Sequence, residues 1–327
     1  MTPEEIMRMT QGFKESRILL SAAELNVFSI LRKAPLSARE VADRTGGDVR
    51  ALSTVLDAVA AMGLLMKRED KYRCDDAIAS LLAEDAPDSV LPMVLHMASL
   101  WPRWSRLTDV AKGIPVRDDE FDFSRDEEEM RAFIGAMHAI GAPLAKRIVA
   151  SIDPGASSAL LDVGGGSGTY TIAFLRAVPA MKATLFDLPE VIKMARERLN
   201  REGLLDRVRL VAGSFYDDEF PGGHDLVLIS AIIHSNSPEE NLDLYKKAFR
   251  SLEPGGRILI RDHVMEPDRV RPRAGAIFAI NMLVGTPGGG TYTYEEIEAG
   301  LKMAGFSRIR LLRQGEQMDA VVEAFKP

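Results

Sequence analysis

The stretch 160–175, "LLDVGGGSGTYTIAFL", places four glycines within five positions directly after a short apolar run. The apolar run predicts a buried strand that ends near Val163, and a helix is expected to begin near Thr169. Glycine allows a close backbone approach that side chains prevent. Because ligands of open α/β sheets bind beyond the carboxyl ends of the strands, the stretch predicts a ligand-binding turn at a sheet edge.

The glycine spacing distinguishes between classes of ligand. Gly164, Gly166 and Gly168 follow the pattern G-x-G-x-G, whereas a dinucleotide fingerprint needs a glycine at position 169, where Thr169 stands. This argues against an NAD-dependent oxidoreductase, whose pyrophosphate lies on the helix N-terminus. Asp162, just before the glycines, favours a ligand without a pyrophosphate and with cationic character.

Length and composition are typical of an ordinary globular protein of two domains. The 327 residues are 46% hydrophobic and 27% charged, which is enough for a sizeable core. The net charge of -7 argues against a nucleic-acid partner, because phosphate binding needs a basic field. Without a signal peptide or an apolar run of about 20 residues, we expect a cytoplasmic protein that does not contact membranes. The single cysteine, Cys74, excludes an intrachain disulfide or a cysteine-based zinc site, and no metal is expected.

Residues 1–112 are predicted to form a mainly helical, winged-helix-like domain with linking helices. Ser37 and Glu40 form a capping box at a helix start, a further helix follows from about residue 50, and residues 66–74 suggest a two-stranded hairpin. Residues 1–76 carry twelve basic and twelve acidic side chains, whereas a module that reads DNA has a basic excess. We therefore expect this domain to serve dimerisation, with a winged-helix ligand-sensing regulator as the alternative.

Residues 113–327 are predicted to form a Rossmann-like, doubly wound and mostly parallel sheet. Apolar strands alternate with helices from about residue 155, which indicates a sheet covered on both faces. One helix is expected to start with Ser237 as N-cap and Glu240 in a capping box, and to end at Gly255 and Gly256. The predicted parallel strands are 158–164, 182–189, 207–215, 224–233 and 256–264, and residues 306–326 suggest two more strands.

A second acidic residue, Asp187, ends the second predicted strand, 25 positions after Asp162. An acid at this place can accept both hydroxyls of a ribose, and the alternative is a helix-capping aspartate. Together, "LLDVGGGSGTYTIAFLRAVP" and "ATLFDLPEVI" resemble the first two motifs of class I S-adenosylmethionine-dependent methyltransferases. "DLPEVI" is similar to the small-molecule O-methyltransferases of the plant caffeate and bacterial antibiotic type, and "EPGGRILIRD" and "TYEEIEAGLKMAGF" extend the resemblance.

This resemblance covers nearly the whole chain and implies S-adenosylmethionine as cofactor and a homodimer formed through the N-terminal domain. It also implies that Asp162 and the glycines hold the methionine end of the cofactor and Asp187 its ribose. Two positions depart from the family: Ser214 stands where an acid contacts the adenine, and Ser230 stands in place of a lysine. Phe215 either stacks on the adenine or is a core aromatic residue. The predicted cofactor-binding residues are Asp162, Gly164, Gly166, Gly168, Asp187, Leu188, Ser214, Phe215 and Ser230.

His234 is the predicted general base. It is one of five histidines and closes the predicted strand "HDLVLISAIIH" at its carboxyl end. An ordinary histidine pKa of about 6.5 suits proton removal at neutral pH. A histidine that caps the following helix is the alternative, but the resemblance aligns His234 with the family's catalytic histidine.

The surroundings of His234 depart from the family pattern. The family reads His-Asp-Trp, whereas this chain continues with Ser235 and Asn236. Asp262 corresponds to one of two acids that orient the histidine, shortened by one carbon, and Thr291 replaces the other. The expected consequences are weaker base catalysis, an acidic substrate, or bystander use of the cofactor in hydroxylation, decarboxylation or cyclisation.

The leading prediction is an O-methyltransferase that acts on a small, apolar, aromatic or polyketide-like metabolite. Methyl transfer requires alignment of the acceptor oxygen with the methyl group and removal of its proton. The resemblance places the acceptor pocket between the linking helices and the catalytic domain, although methionine and aromatic side chains at helical spacing are also typical of a core. The predicted substrate residues are Trp101, Phe133, Met137, His138, Phe278, Asn281 and Met282.

Overall fold

The computed structural model describes residues 1–86, 89–114, 127–154 and 157–327, without the side chains of residues 127–129, 131–133, 136, 139 and 140. The chain divides into two compact units, Met1–Pro102 with Gly135–Ala139, and Arg103–Ile134 with Ile140–Pro327. The predicted domain boundary after residue 112 stays a prediction. No helix among the described residues is long and apolar enough to cross a membrane.

The first unit is helical and carries a small antiparallel sheet. The predicted capping box of Ser37 and Glu40 is confirmed, and so is the hairpin, whose two strands pair with a short third strand. Phe28, Leu56 and Tyr72 are among the side chains of its core. The elements are α1 (Pro3–Gln11), α2 (Phe13–Glu24), α3 (Val27–Lys33), β1 (Leu36–Ser37), α4 (Ala38–Thr45), α5 (Val49–Ala61), β2 (Met66–Arg68), β3 (Lys71–Arg73), α6 (Asp76–Leu82) and α7 (Leu91–Ser105).

The second unit is built on a sheet that contains seven strands in the described part of the chain. Its elements are α8 (Leu107–Ala111), α9 (Glu127–Ser151), β4 (Ala159–Val163), α10 (Thr169–Ala177), β5 (Lys182–Asp187), α11 (Pro189–Arg201), β6 (Val208–Ala212), β7 (His224–Ser230), α12 (Pro238–Ser251), β8 (Leu252–Asp262), β9 (Val264–Met265), α13 (Arg273–Gly285), β10 (Tyr292–Thr293), α14 (Tyr294–Met303), β11 (Ser307–Arg313) and β12 (Ala320–Phe325). The helix α9 also contributes residues to the first unit, and the last three residues of α7 belong to the second.

The strand order is β11-β12-β8-β7-β4-β5-β6, with β8 to β6 parallel and β12 and β11 antiparallel. One apolar cluster covers each face of this sheet, as the apolar strands predict. The predicted doubly wound, mostly parallel fold is confirmed. From β4 the chain runs through β5 and β6 on one side and returns to β7 and β8 on the other, which opens a crevice at the carboxyl ends of β4 and β7.

Several predicted boundaries differ from the structure, and two of these differences bear on the site. The strand that precedes His234 ends at Ser230 and not at residue 233, because Ala231 adopts a left-handed conformation with a φ of 58°. The helix that starts at the confirmed cap Ser237 ends at Ser251, because Leu252 is extended and starts β8, which contains both glycines. His234 consequently lies in a short 3-10 turn, Ile233–Ser235, beyond the strand.

Candidate active site

The glycine loop joins β4 to α10 as the sequence predicts. Gly164, Gly166 and Gly168 have φ angles of 61°, 58° and 87°, which is the left-handed region that favours glycine. The backbone N–H of Gly164 donates to the carbonyl of Phe186 on the neighbouring strand at 2.8 Å. The loop therefore turns sharply over the carboxyl end of β4.

Asp162 fixes this loop from below. Its side chain is only 1% exposed, and its Oδ2 accepts hydrogen bonds from the backbone N–H (3.1 Å) and the hydroxyl (2.6 Å) of Thr171 in α10. Burial raises the pKa of Asp162 to about 7. The carboxyl group thus ties β4 to the first turn of the next helix.

Asp187 is the last residue of β5, as predicted, and reaches the glycine loop. Its Oδ2 accepts from the backbone N–H of Gly166 and its Oδ1 from that of Leu188, both at 2.7 Å. Burial raises the pKa of Asp187 to about 6. The helix-capping interpretation is wrong, because Leu188, which is 38% exposed, is the N-cap of α11.

The loop leaves room for a ligand at one glycine. A Cβ atom at Gly164 would meet Ile232 Cδ1 at 2.5 Å, whereas at Gly166 the nearest atom is Ile134 Cδ1 at 4.0 Å. Open space over Gly166, beside a strand-end carboxylate, forms a cradle with an acceptor for a diol. These residues fit the ribose and the adjoining chain of a nucleoside cofactor.

The segment after β6 carries two of the predicted cofactor residues. The backbone N–H of Ser214 donates to Asp218 Oδ2 at 2.8 Å, and Ser214 Oγ accepts from the N–H of Tyr216 at 3.2 Å. Phe215 Cε1 would lie 3.9 Å from a Cβ atom at Gly164. The partly buried Phe215 therefore borders the glycine loop and also packs on the core.

Ser230 stands beside a cation that the sequence reasoning missed. Ser230 Oγ accepts from Arg261 Nη1 at 3.2 Å, and the Arg261 guanidinium lies 5.4 Å from the ring centre of Tyr170 in the first turn of α10. Arg261 Nε also donates to the carbonyl of Met318 at 2.9 Å. Ser230 and Arg261 are partners in the register of the parallel strands β7 and β8, which explains the hydrogen bond between them. A prediction of that strand register could have identified Arg261.

His234 and Asp262 form a buried pair. His234 Nδ1 lies 2.9 Å from Asp262 Oδ2 and 3.0 Å from Oδ1, and the two side chains are 11% and 1% exposed. Burial alone would raise the pKa of Asp262, but His234 and Arg261 and the N–H of His263 hold it below its usual value. The carboxylate is thus ionised and accepts the Nδ1 proton, which leaves Nε2 as the basic nitrogen. The interpretation of His234 as a helix cap is wrong, because Ser237 caps α12.

Helix α13 brings one predicted substrate residue to the histidine. The Phe278 ring packs edge-on against His234 with the centroids 4.8 Å apart, and lies 5.1 Å from the ring of His263. Asn281 Oδ1 accepts from Trp104 Nε1 at 3.0 Å, and Met282 is 7% exposed. Phe278 therefore contacts the His234 ring, Asn281 is hydrogen-bonded to Trp104, and Met282 is a core residue of its unit.

Three further predicted substrate residues, Trp101, Met137 and His138, belong to the first unit. The Cζ atom of the Arg17 guanidinium, in the same unit, lies 5.7 Å from the ring centre of Trp101. Met137 is 39% exposed and His138 is partly buried. The side chain of Phe133 lies outside the described residues.

Thr291, at the position of the second expected acid, is buried just before β10. Its carbonyl accepts from Arg269 Nη1 at 3.1 Å, and the N–H of the preceding Gly290 donates to the carbonyl of His234 at 2.8 Å. In the described part of the chain no group of three or more His, Cys, Asp or Glu side chains is arranged to hold a metal ion.

Comparisons with known proteins extend these observations. Residues 109–307 match the O-methyltransferase domain, and residues 7–84 match the O-methyltransferase dimerisation domain. The tetracenomycin polyketide synthesis 8-O-methyl transferase TcmO of Streptomyces glaucescens is 32% identical over 314 residues, which cover 94% of this chain and 92% of the relative. The 3-hydroxy-5-methyl-1-naphthoate 3-O-methyltransferase of Streptomyces sahachiroi is 30% identical over 318 residues, which cover 95% and 91%.

A solved structure agrees over the whole length. PigF, an S-adenosyl-L-methionine-dependent methyl transferase of Serratia sp. (strain ATCC 39006) solved with SAH, is 25% identical and superimposes with a TM-score of 0.89 over 100% of both chains. With the matched domains, this similarity fixes both the cofactor and the class of reaction. The chain belongs to the family of S-adenosylmethionine-dependent O-methyltransferases.

Proposed function

We propose that this protein methylates a hydroxyl group on a small aromatic, polyketide-like metabolite, with His234 as the general base. The observation that carries the proposal is the contact of His234 Nδ1 with both oxygens of the buried Asp262, at 2.9 and 3.0 Å. The relatives named for a tetracenomycin and for a hydroxynaphthoate support the substrate class.

The cofactor-binding part of the site is assigned to the carboxyl ends of the central strands. Asp187 accepts the ribose hydroxyls, and the backbone at Gly164, Gly166 and Gly168 borders the methionine end of the cofactor. Asp162 acts through the loop that it fixes, because its carboxylate is engaged by Thr171. When bound, S-adenosylmethionine would supply a sulfonium-bound methyl group, which passes to the acceptor oxygen as S-adenosylhomocysteine leaves. Leu188, Ser214, Phe215 and Ser230 complete the proposed cofactor-binding set.

The proton-transfer part is assigned to the buried pair. Asp262 accepts the Nδ1 proton, so that His234 Nε2 takes the acceptor's hydroxyl proton and the carboxylate stabilises the imidazolium that forms. The edge of Phe278 against the imidazole restricts the rotation of that ring. A single carboxylate at this position suffices for an acidic phenol, which needs less help to lose its proton.

The proposed acceptor pocket consists of apolar side chains and one polar side chain, the handle, that orients the ligand. Pockets for ring-containing ligands are typically built in this way. Phe278 borders the base and Asn281 supplies the handle. Trp101, Phe133, Met137 and His138 stay predictions from the resemblance, and so does Met282, which is buried in its unit. We also propose that two copies of the chain form a homodimer through residues 7–84, the segment that matches the family's dimerisation domain.

The test is a turnover screen of hydroxynaphthoates and polycyclic phenols with S-adenosylmethionine, in which formation of S-adenosylhomocysteine is measured. For the best acceptor we expect His234→Ala to lower kcat by about 100-fold or more, since general-base catalysis contributes about 10²–10⁴. The affinity for S-adenosylhomocysteine should stay within about threefold in calorimetry, because His234 has no role in cofactor binding.

His224→Gln is the matched control. His224 is a buried histidine at the opposite end of β7, where its Nε2 contacts Thr184 Oγ1 at 2.9 Å, and the variant should keep its turnover. A wild-type kcat in His234→Ala would contradict the role of His234 as the general base. Absence of turnover on every phenol, with normal cofactor binding, would contradict the substrate class.

A further inference from the structure

Two buried amides lie directly behind the turn that carries His234. Asn236 and Asn241 are 1% and 4% exposed. Asn236 Nδ2 donates to Asn241 Oδ1 at 3.1 Å, and Asn241 Nδ2 donates to the carbonyl of Ile233 at 2.9 Å. Buried amides are costly when unpaired, so this pair holds the first residue of the 3-10 turn in one place.

The outer end of this chain of hydrogen bonds lies in the loop after β6. The hydroxyl of Tyr216, a residue that is 49% exposed, donates to Asn236 Oδ1 at 2.8 Å. We name residues 214–218 the cofactor-side loop, because Ser214 and Phe215 belong to the proposed cofactor-binding set. Tyr216 thus joins this loop to the turn of the general base.

The direction of the hydrogen bonds is fixed by chemistry. The carbonyl of Ile233 can only accept, so Asn241 must present its amino group to it and its oxygen to Asn236. Asn236 must then donate to Asn241, and its oxygen is left for the phenol of Tyr216. Each member has one role, and removal of one donor leaves a buried acceptor unpaired.

The backbones of Tyr216 and Asn236 are both anchored. Lys247, only 5% exposed, donates through Nζ to the carbonyls of Phe215 at 3.0 Å and Tyr216 at 2.6 Å, and lies 3.2 Å from Asp243 Oδ2. The hydroxyl of Tyr292 donates to the carbonyl of Asn236. The hydrogen bond from Tyr216 to Asn236 therefore joins two segments whose backbones are both held in place.

We propose that Tyr216, Asn236 and Asn241 are positioning residues that couple occupation of the cofactor-side loop to the placement of the His234 imidazole. Phe215 borders Gly164, so a ligand over the glycine loop meets the loop that Tyr216 belongs to. The hydroxyl of Tyr216 transmits that contact to the histidine turn. The proposal rests on the proposed function of His234, but its main test needs no acceptor.

Tyr216→Phe removes one oxygen from a half-exposed side chain, so the variant is expected to fold. The His234 imidazole resonances should move on addition of S-adenosylhomocysteine to the wild-type protein and stay in place in Tyr216→Phe, as ¹H–¹⁵N spectra will show. On the acceptor found by the screen, kcat should fall about tenfold, the factor that one ordinary hydrogen bond carries, while the affinity for S-adenosylhomocysteine holds. Tyr294→Phe is the matched control, because the Tyr294 hydroxyl donates to the carbonyl of Ile309 and takes no part in the hydrogen bonds from Tyr216 to Ile233.

Asn236→Asp is the second variant, because a carboxylate of equal size cannot donate to Asn241. We expect Asn236→Asp to lower kcat at least as far as Tyr216→Phe does. The kcat of the double variant should be no lower than that of Asn236→Asp alone, because both substitutions break the same series of hydrogen bonds. A wild-type response of the His234 resonances in Tyr216→Phe, or fully additive losses in the double variant, would overturn the inference. Neither result would touch the role of His234, which His234→Ala tests separately.

Discussion

The cofactor end and the histidine end of the site are held by different kinds of contact. At the cofactor end, carboxylates bond to backbone N–H groups: Asp187 to Gly166 and Leu188, and Asp162 to Thr171. At the histidine end, two side chains, His234 and Asp262, bond to each other, and Asp262 also accepts from the backbone N–H of His263. Backbone contacts demand a loop conformation that only glycine adopts easily, whereas side-chain contacts can be replaced by others. Substitutions should therefore separate binding from turnover.

The largest expected effect tests the cofactor end. Gly166→Val places a branched side chain in the open space over Gly166, where a Cβ atom has no neighbour closer than 4.0 Å. That space is the proposed place of the ligand, and a side chain there also blocks close approach to the backbone. We expect the affinity for S-adenosylhomocysteine to fall by at least about 100-fold in calorimetry.

Gly203→Val is the control for this prediction. Gly203 has a φ of 67° and no neighbour within 4 Å of an added Cβ atom, so the backbone strain is comparable. It follows α11 and lies outside the proposed cofactor-binding set. Normal binding by Gly166→Val, or an equal loss in both variants, would show that the glycine loop does not hold the cofactor.

A smaller effect is expected at the histidine end. Asp262 Oδ1 accepts from the N–H of His263 at 2.7 Å, so in Asp262→Asn the amide oxygen stays there and the amino group faces His234 Nδ1. Nδ1 must then accept, the proton moves to Nε2, and the base is lost. We expect kcat to fall by about 100-fold with unchanged affinity for S-adenosylhomocysteine.

Asp225→Asn provides the comparison, since Asp225 lies near the amino end of β7 and accepts from Ser158. This variant should keep both turnover and the ¹⁵N shifts of His234. Wild-type kcat in Asp262→Asn would mean that His234 does not work through this carboxylate, and the difference between the two ends would lose its basis.

Most of the fold follows from local patterns in the sequence. Apolar strands, capping boxes such as Ser237 with Glu240, and the glycine loop each depend on residues close in the chain, and the structure has them where they are predicted. The strand before His234 is predicted too long because its apolar run continues through Ala231, whose left-handed backbone has no signal in composition. Boundaries set by a single φ angle escape periodicity.

The site divides in the same way. Asp162, the glycines and Asp187 lie within a stretch of 26 residues, and spacing alone brings them to one sheet edge. The contact of Arg261 with Ser230 depends on strand register, and the chain from Tyr216 through Asn236 to Asn241 depends on the packing of a loop against a helix start. Such contacts between segments distant in sequence have no fixed spacing, so no motif could indicate them.

The smallest effect concerns pH. Burial raises the pKa of Asp187 to about 6, and the ribose hydroxyls require its ionised form. The affinity for S-adenosylhomocysteine should therefore be full above about pH 6 and fall about tenfold per unit below it. The stability of the ligand-free protein has the opposite pH dependence. A carboxyl group whose pKa is raised in the folded state stabilises the fold at low pH, and this contribution is lost as the pH rises towards 6. The increase in Tm caused by S-adenosylhomocysteine should consequently grow between pH 5 and about pH 7.

Asp187→Asn should bind more weakly and show no such slope, because an amide does not titrate. Asp162→Asn separates the two carboxyl groups: the pKa of Asp162 is also raised by burial, to about 7, but its oxygen is engaged by Thr171 and not by the proposed ligand. That variant should therefore keep the wild-type slope below pH 6. The pH dependence of the affinity could instead disappear in Asp162→Asn and persist in Asp187→Asn. The pH-sensitive group would then be Asp162, below the glycine loop, and not the carboxylate that we assign to the ribose. The backbone of the loop, and not Asp187, would in that case hold the cofactor.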